Sequence, residues 1–540
     1  MKPTRHITRS MTVLLASALT AVGISAPSVA QERKELPKRP SLVVGIVVEG
    51  LSMDYIDLLR PQMVDGGLRR LLEDGVAITN LDYGTALDGA AATATLFTGA
   101  SPSVTGIGAS TVYDATSRRA QSVLTDPAVI GNFTNETLSP SALKASTLAD
   151  ELRIDAGGLG YVYAIASEPE QAIILAGHAG NSGFWVNDAT GKWATTTHYK
   201  DLPQAAQTRN RLQANEFRLD TMQWTPVIPV ADLPDLPAYK KLYPFRHVFP
   251  RTMAHRYKAY KNSPMVNADI TSMAADYLTS FSLGKREYTD MLNLGYTLQP
   301  YAYGREADVR PETMDAYLRL DRDLKRLFTI IEEKGPGMDH TMVFLAGTPV
   351  TNRTRRDDEK WGTPFGEFSS RKAVSLLNMY LMAIYGNGEW VSGYHNGQLY
   401  LNRQLAKDRN KDLDEIRSES ARFLTRMSGV TNAWTINDVI DRRATDNPEA
   451  TRRNTVVDTA GDVFVAIAPG WQEVDDDSDT DTPQTTLRAA TTVAPAFILA
   501  PGIRKQTIDT PTDARVLAPT VAGILRIRSP NGAALPRLRF

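Results

Sequence analysis

The 540-residue sequence contains no cysteine. This absence excludes disulfide bonds, thiolate metal sites, cysteine nucleophiles and a lipid anchor on an N-terminal cysteine. Histidine is also scarce, with seven residues in the chain. None of them stands in the spacing of a zinc-binding histidine motif, and the sequence has no phosphate-binding glycine-rich loop.

The chain has no excess of either charge, with 60 lysines and arginines against 61 aspartates and glutamates. A nucleic-acid partner is therefore not indicated, because such partners select a basic surface. After the N-terminal region no apolar run reaches the roughly 18 residues that a membrane-spanning helix needs. We therefore expect no transmembrane segment in the mature chain.

The first thirty residues have the pattern of a secretory signal peptide. Basic residues precede a mostly apolar stretch from Met11 to Ile24, and Ser28-Val29-Ala30 has the small side chains of a cleavage site. A retained membrane anchor would need a longer apolar run. We predict a signal peptide at residues 1–30 and a polar linker at 31–40, with export to the periplasm or cell envelope.

The rest of the chain alternates between strand-like and helix-like segments. Ser41–Glu49 is a continuous β-branched run, as in strands buried on both faces, and Asp315–Glu333 has amphipathic helical spacing. Thr341–Ala346 and Asp462–Ala468 are further predicted strands. Alternation of this kind predicts an α/β fold around a parallel sheet.

Two stretches, residues 181–256 and 372–451, are rich in proline, aromatic and polar residues. We interpret them as accessory insertions in one domain that spans residues 41–540. The core of this domain is then expected at about residues 41–180, 257–371 and 452–540.

Several blocks of the sequence resemble one known family in their order along the chain. They include VVGIVVEGLSMDY from Val43, TLFTGASPSVTGI from Thr95, GDVFVAIAPGW from Gly461 and LAPTVAGILRIRSPNG from Leu517. The chain resembles the alkaline phosphatase superfamily, specifically its periplasmic phosphate-irrepressible branch close to the type I phosphodiesterase and nucleotide pyrophosphatase group. The resemblance implies a sandwich with a central, mostly parallel sheet covered by helices on both faces, plus cap-like insertions.

The resemblance also implies two zinc ions held by three aspartates and three histidines. The residues at the corresponding positions are Glu49, Leu298, Ala302, Gly347, Thr348 and Val493. Glu49 alone is of a ligand type, with a side chain one methylene longer than aspartate. We therefore expect no zinc cofactor.

The family's nucleophile is a threonine at the start of a helix, and Gly89 stands at that position. Glycine has no nucleophilic group. Asp88 remains open as a phosphoaspartate-forming substitute, and Thr93 or Thr95 could replace the nucleophile only by a shift of about one helical turn.

The family's phosphate-binding residues are replaced as well. Glu168 and Glu170 stand where the family has lysine and arginine, and Ser110 or Thr111 where it has an asparagine. Two cations have thus become two anions, which repel a phosphate dianion.

The chain keeps the family's sequence blocks but lacks its nucleophile and most of its metal-binding and phosphate-binding residues. This combination predicts a catalytically inactive member of the family. We expect a non-catalytic binding or scaffolding role at the cell envelope, with a protein or an envelope glycan as partner and association with an outer-membrane complex as an option. The alternative is a metal-dependent hydrolase of phosphate, phosphodiester or sulfate esters that uses a rebuilt site.

Overall fold

The computed structural model describes residues 38–199, 202–303, 308–350, 366–444, 447–468, 470–475, 484–485 and 491–540. The predicted signal peptide and most of the predicted linker lie outside these residues. No helix in the described ranges is both long and apolar enough to cross a membrane.

The five longest of the described strands, with seven or eight residues each, all belong to the largest sheet. The described strands are, in chain order, β1 (Leu42–Glu49), β2 (Val76–Asp82), β3 (Thr111–Asp114), β4 (Arg119–Ser122), β5 (Gly131–Asn132), β6 (Val162–Ala166), β7 (Ser182–Val186), β8 (Trp193–Thr196), β9 (Gln223–Trp224), β10 (His247–Val248), β11 (Asp290–Thr297), β12 (Thr341–Gly347), β13 (Gly366–Ser369), β14 (Val391–His395), β15 (Gln398–Leu401), β16 (Val430–Thr435), β17 (Val463–Ile467), β18 (Trp471–Asp475), β19 (Gln484–Thr485), β20 (Val493–Leu499), β21 (Gln506–Ile508) and β22 (Thr512–Asp513).

The longest described helix, Arg310–Glu333, packs against the largest sheet. The described α-helices are α1 (Met53–Leu59), α2 (Leu68–Asp74), α3 (Gly89–Thr98), α4 (Pro102–Thr105), α5 (Leu148–Asp155), α6 (Pro169–Ala176), α7 (Gln204–Leu212), α8 (Asn215–Arg218), α9 (Ala238–Lys241), α10 (Arg256–Lys261), α11 (Met265–Ser280), α12 (Arg310–Glu333), α13 (Ser370–Tyr385), α14 (Arg403–Asp408), α15 (Leu413–Leu424), α16 (Ile436–Ile440), α17 (Pro448–Asn454) and α18 (Leu517–Leu525).

The largest sheet is mixed, with parallel strands at its centre. Its order is β21-β2-β20-β12-β1-β11-β6-β7-β8-β5, and β22 also pairs with β2. β1 is parallel to both of its neighbours, β11 and β12, whereas β20 is antiparallel to β12. The carboxyl ends of β12, β1 and β11 therefore meet at one edge, where open α/β sheets commonly bind ligands.

Helices cover both faces of this sheet, as the unbroken apolar run of β1 predicts. Val44 and Ile46 belong to a buried cluster with residues of α1, α2, α11 and α12. Val43 and Val47 belong to the opposite cluster, with residues of α3, α5, α6 and α18. Because successive side chains of a strand point to opposite faces, both faces of the sheet are buried. The predicted α/β sandwich is confirmed.

An accessory antiparallel sheet has the order β14-β15-β17-β16. The segment Asp462–Ala468 forms a strand as predicted, but this strand, β17, pairs here and not in the central sheet. The reason is its packing: Val463 and Val465 are buried in an apolar cluster with residues of α13 and α15. The buried carboxylate of Asp462 accepts hydrogen bonds from Arg403 and Arg417, which ties β17 to helices α14 and α15. The bounds expected for the two insertions stay a prediction.

Candidate active-site cleft

Glu49 ends β1 at the carboxyl edge of the central sheet, and three other family ligand positions lie close to it. The N–H of Leu298, which follows β11, donates to the Glu49 carbonyl at 2.8 Å. Gly347 ends the other neighbour, β12, and Thr348 follows it. The pairing of β1 with β11 and β12 thus brings these positions together, as the resemblance implies.

The residues at these positions do not offer free metal-ligand atoms. Leu298 is buried and apolar. The Thr348 hydroxyl accepts a hydrogen bond from the Gly50 N–H at 3.3 Å. The Gly347 carbonyl accepts one from the Tyr83 hydroxyl at 2.6 Å.

The remaining two ligand positions do not supply a metal ligand either. The N–H of Ala302 donates to Oδ1 of Asn262 at 2.7 Å, and its side chain is a methyl group. Val493, the first residue of β20, is 38% exposed. In the ranges that the structure describes, no three or more His, Asp or Glu side chains cluster so that they could hold a metal ion. The donor set therefore does not fit a zinc pair.

Helix α3 begins at the position of the family nucleophile. Asp88 is its N-cap and accepts hydrogen bonds from the N–H groups of Ala91, at 3.0 Å, and Ser110. A carboxylate at this end is favoured by the helix dipole. Gly89 is the first helical residue.

The Glu49 carboxyl occupies the space beside Gly89. A Cβ added at Gly89 would lie 2.2 Å from Oε1 of Glu49 and 2.9 Å from its Cδ. A side chain at position 89 therefore requires Glu49 to move. The longer glutamate and the missing nucleophile are sterically linked.

Thr93 and Thr95 do not replace the nucleophile in this arrangement. The Thr93 hydroxyl donates to the Gly89 carbonyl at 2.7 Å, and that of Thr95 donates to the Ala91 carbonyl at 2.9 Å. Both side chains are buried and bonded within their own helix.

Glu168 and Glu170 lie at the start of α6, where the resemblance places two phosphate-binding cations. Glu168 pairs with the ammonium of Lys261 at 2.9 Å, and Asp188 binds the same ammonium. Burial acts to lower the pKa of Lys261, but these two carboxylates outweigh it and hold that pKa above its ordinary value. The positive charge of Lys261 is thus paired with carboxylates of the protein itself. Glu170 accepts a hydrogen bond from the Ser122 hydroxyl at 2.6 Å.

Burial perturbs the carboxyls of this cleft. It raises the pKa of Glu49 to about 8, assisted by the charge of Glu168, whereas a hydrogen bond from Gln299 opposes the rise. Burial also raises the pKa of Glu170 to about 7. It raises the pKa of Asp88 as well, and hydrogen bonds from N–H groups oppose that rise. Glu49 is therefore protonated at neutral pH.

These residues line a cavity of about 770 Å³. Its described lining includes no lysine or arginine. The family positions in the lining are Glu49, Gly89, Ser110, Thr111, Glu168, Glu170 and Thr348. Leu298, Ala302, Gly347 and Val493 are absent from it, so the cavity is bordered by only part of the family's metal positions.

The accessory sheet supplies another wall of the cavity. The Thr111 hydroxyl lies 2.8 Å from Nε2 of His395, at the end of β14. Aromatic side chains of Tyr400, Trp434 and Phe464 also line the cavity. The last two stack with their ring planes 5° apart and their centroids 6.3 Å apart.

Sequence reasoning missed Lys261, His395 and Trp434 as parts of this site. Lys261 is 93 residues from Glu168, and His395 is 284 residues from Thr111. None of the three stands in a local motif. The one signal in the sequence was that Glu168 and Glu170 stand where the family has lysine and arginine. Two acidic residues at such positions indicate that a cation from elsewhere in the chain lies nearby.

Comparison with known proteins agrees with this architecture. A calcium-transporting ATPase of Myroides odoratus is 25% identical over 92% of this chain and 93% of that protein. The alkaline phosphatase PhoV of Synechococcus elongatus is 25% identical over 97% of each chain. The crystal structure of the alkaline phosphatase PafA has a TM-score of 0.80 and 24% identity, covering 93% of this chain and 98% of that one, and shows the shared fold.

The family model described as type I phosphodiesterase / nucleotide pyrophosphatase matches residues 43–491. This match includes both the central strands and the accessory sheet. The chain therefore belongs to the type I phosphodiesterase / nucleotide pyrophosphatase family, within the alkaline phosphatase superfamily.

Proposed function

We propose that this chain is a non-catalytic member of its family that uses the cleft to bind a ligand. The observation that carries this proposal is the position of Glu49, whose carboxyl takes the space beside Gly89 that a nucleophilic side chain would need. Gly89 provides no alcohol at the start of α3, and the described residues provide no donor set for two zinc ions.

Electrostatics of the cavity supports the same proposal. Four carboxyl residues, Glu49, Asp88, Glu168 and Glu170, line it, and the described lining has no lysine or arginine. A unit charge about 5 Å from a like charge costs about 3 kcal/mol at an effective dielectric constant near 20. Glu49 is protonated at neutral pH and Glu168 is paired with Lys261, so ionised Asp88 and Glu170 are the groups that disfavour a phosphate dianion in this cleft.

The proposed setting is the periplasm or cell envelope, supported by the N-terminal sequence pattern. The accessory segments are the proposed surface for a protein or glycan partner, or for an outer-membrane complex. Their support is that one of them contributes His395 and Trp434 to the cavity wall.

A second candidate is a metal-dependent hydrolase of phosphate, phosphodiester or sulfate esters with a rebuilt site. The family relationship supports this candidate more than the non-catalytic one, since relatives such as PhoV and PafA are alkaline phosphatases. The hydrogen-bonded Thr111 and His395 also provide a hydroxyl beside a base in the cavity.

Hydrolysis assays separate the two candidates. The purified chain is incubated with p-nitrophenyl phosphate, bis(p-nitrophenyl) phosphate and p-nitrophenyl sulfate, with and without added zinc. We expect product formation equal to that of the protein-free control in every assay. Turnover that is lost in Asp88→Asn or Thr111→Val, but kept in the control Glu216→Gln, would establish the hydrolase instead. Glu216 is an exposed carboxylate that does not line the cavity.

A further inference from the structure

Helix α13, which covers the accessory sheet, is apolar on its outward side as well as on its buried side. The stretch from Ala373 to Tyr385 contains no charged side chain. Ala373, Leu377 and Leu381 are buried in the cluster that includes the accessory strands. A helix that is apolar on all sides is normally covered on all sides, so the outward side of α13 is of interest.

The outward side of α13 is exposed to solvent. Leu376 and Met379 are 43% and 58% exposed, and Lys372 and Ala383 are exposed as well. Spacings of three and four residues place these four side chains in one row along the helix, which we call the outer row. In the part of the chain that the structure describes, this row is therefore left uncovered.

Helix α15 lies beside α13 and runs in the opposite direction. The Tyr380 hydroxyl donates to Glu419 at 2.9 Å, and the Tyr385 hydroxyl donates to Glu415 at 3.3 Å. Residue numbers thus rise along α13 as they fall along α15. The first turn of α15 therefore lies at the carboxyl end of α13.

The two ends of the outer row carry different charges. Arg371 and Lys372 are exposed at the amino end of α13. At its carboxyl end, the start of α15 brings the exposed carboxylates of Asp412 and Glu415, together with the single cation of Lys411. The helix rise of about 1.5 Å per residue puts the two ends roughly 20 Å apart. Opposite charges at this separation do not pair within one chain.

We propose that the outer row is the interface of a dimer, in which α13 of one copy packs antiparallel to α13 of a second copy. The two-fold axis passes beside Met379, so the apolar part of each row covers the other. Lys372 of each copy then faces Glu415 of the other, as a two-fold interface requires. This dimer goes beyond the proposed function and does not depend on the chemistry of the cleft.

Charge complementarity favours this occupant over others. A parallel pairing of the two helices would bring Arg371 and Lys372 of both copies together, with charge of the same sign. An anionic lipid surface would attract the amino end of the row but repel Asp412 and Glu415 at its carboxyl end. A single pair of helices buries less area than a standard interface, so we expect a weak dimer with a Kd on the order of 10 μM.

Sedimentation velocity of the natural chain between about 1 and 100 μM tests the proposal. We expect a monomer–dimer equilibrium in this range. Met379→Glu places two like charges beside the axis and should weaken association at least about tenfold. The control Ile154→Glu adds the same charge at a residue of α5 that is 62% exposed, and should associate as the natural chain does. A natural chain that stays monomeric, or an equal loss in Ile154→Glu, would overturn the proposal.

Exchange of charges tests the antiparallel arrangement. Lys372→Glu and Glu415→Lys should each weaken association at least about threefold, because each variant places like charges in both end contacts. An equimolar mixture of the two variants restores opposite charges at both contacts. We expect the mixture to associate at least about threefold more tightly than either variant alone. A mixture that associates no more tightly would overturn the antiparallel dimer.

Two further measurements keep these results specific. Thermal unfolding of each variant checks that the folded state is retained before association is measured. Flotation with vesicles of an anionic phospholipid tests the lipid alternative, and vesicle binding by a monomeric chain that is lost in Met379→Glu would overturn the dimer. None of the substituted residues belongs to the described lining of the cavity, so the ester hydrolysis assays fail or succeed separately.

Discussion

Oε1 of Glu49 stands 2.2 Å from the point where a Cβ of residue 89 would lie, so Glu49 and Gly89 share one small space. This relationship couples a family metal position to the family nucleophile position. It also explains why the two substitutions are compatible: a longer carboxylate fits because the neighbouring residue has no side chain.

A double-mutant cycle measures this coupling. Gly89→Ala should lower the free energy of unfolding by about 1–3 kcal/mol through overpacking, although alanine is the better helix former. In a Glu49→Ala background the same change should be neutral or stabilising. Urea unfolding of the four proteins gives the coupling energy, and an identical effect of Gly89→Ala in both backgrounds would contradict the shared space.

Removal of the Lys261 ammonium should destabilise the chain. Lys261 is buried and pairs with Glu168 and Asp188, whose side chains are 42% and 38% exposed. Because water can partly solvate those carboxylates, we expect Lys261→Met to cost about 1–3 kcal/mol, less than a fully buried pair. Adding Glu168→Gln should recover part of that loss. Denaturant unfolding checks both values, and a further loss in the double variant would argue against the pairing.

The free energy of unfolding of the chain should depend on whether the Glu49 carboxyl group is protonated. Its pKa rises from 4.5 to about 8 on folding, so the folded state holds the proton more tightly. The resulting stabilisation is complete below about pH 4.5 and is lost as pH rises through about 8. Glu49→Gln, which mimics the protonated acid, should reduce the fall in the free energy of unfolding between pH 5 and 8 by about 1–3 kcal/mol.

Urea unfolding at pH 5, 6.5 and 8 tests this expectation. Other groups titrate in both proteins, so the difference between them isolates Glu49. The control is Glu216→Gln, which should follow the natural chain. Parallel pH profiles for the natural chain and Glu49→Gln would show that Glu49 does not hold its proton more tightly in the folded state.

Chelation of divalent metals should leave stability unchanged. None of the described side chains forms a cluster of three or more His, Asp or Glu able to hold a metal ion, so no metal binding is expected to contribute to folding. We expect far less than one zinc per purified chain by elemental analysis, and a Tm in excess EDTA within about 2 °C of the untreated value. About two tightly bound zinc ions, or a large fall in Tm, would reveal a site built differently from the family's.

The sequence by itself determined the fold class and the loss of ligand-type residues. The continuous apolar run of β1 indicates a strand that is buried on both faces, and the amphipathic period of α12 indicates a helix with one buried face. Together these patterns predict a sheet covered by helices on both faces. Leucine at 298, alanine at 302 and valine at 493 lack the donor atoms of aspartate and histidine in any fold.

Tertiary structure alone decided what replaces the lost site. Glu49 meets Gly89, Lys261 reaches Glu168, and His395 reaches Thr111 across long separations in sequence. Periodicity and short motifs describe only neighbours along one segment. The packing of the accessory sheet and the convergence of strand ends set which distant side chains meet, and therefore which chemistry the cleft retains.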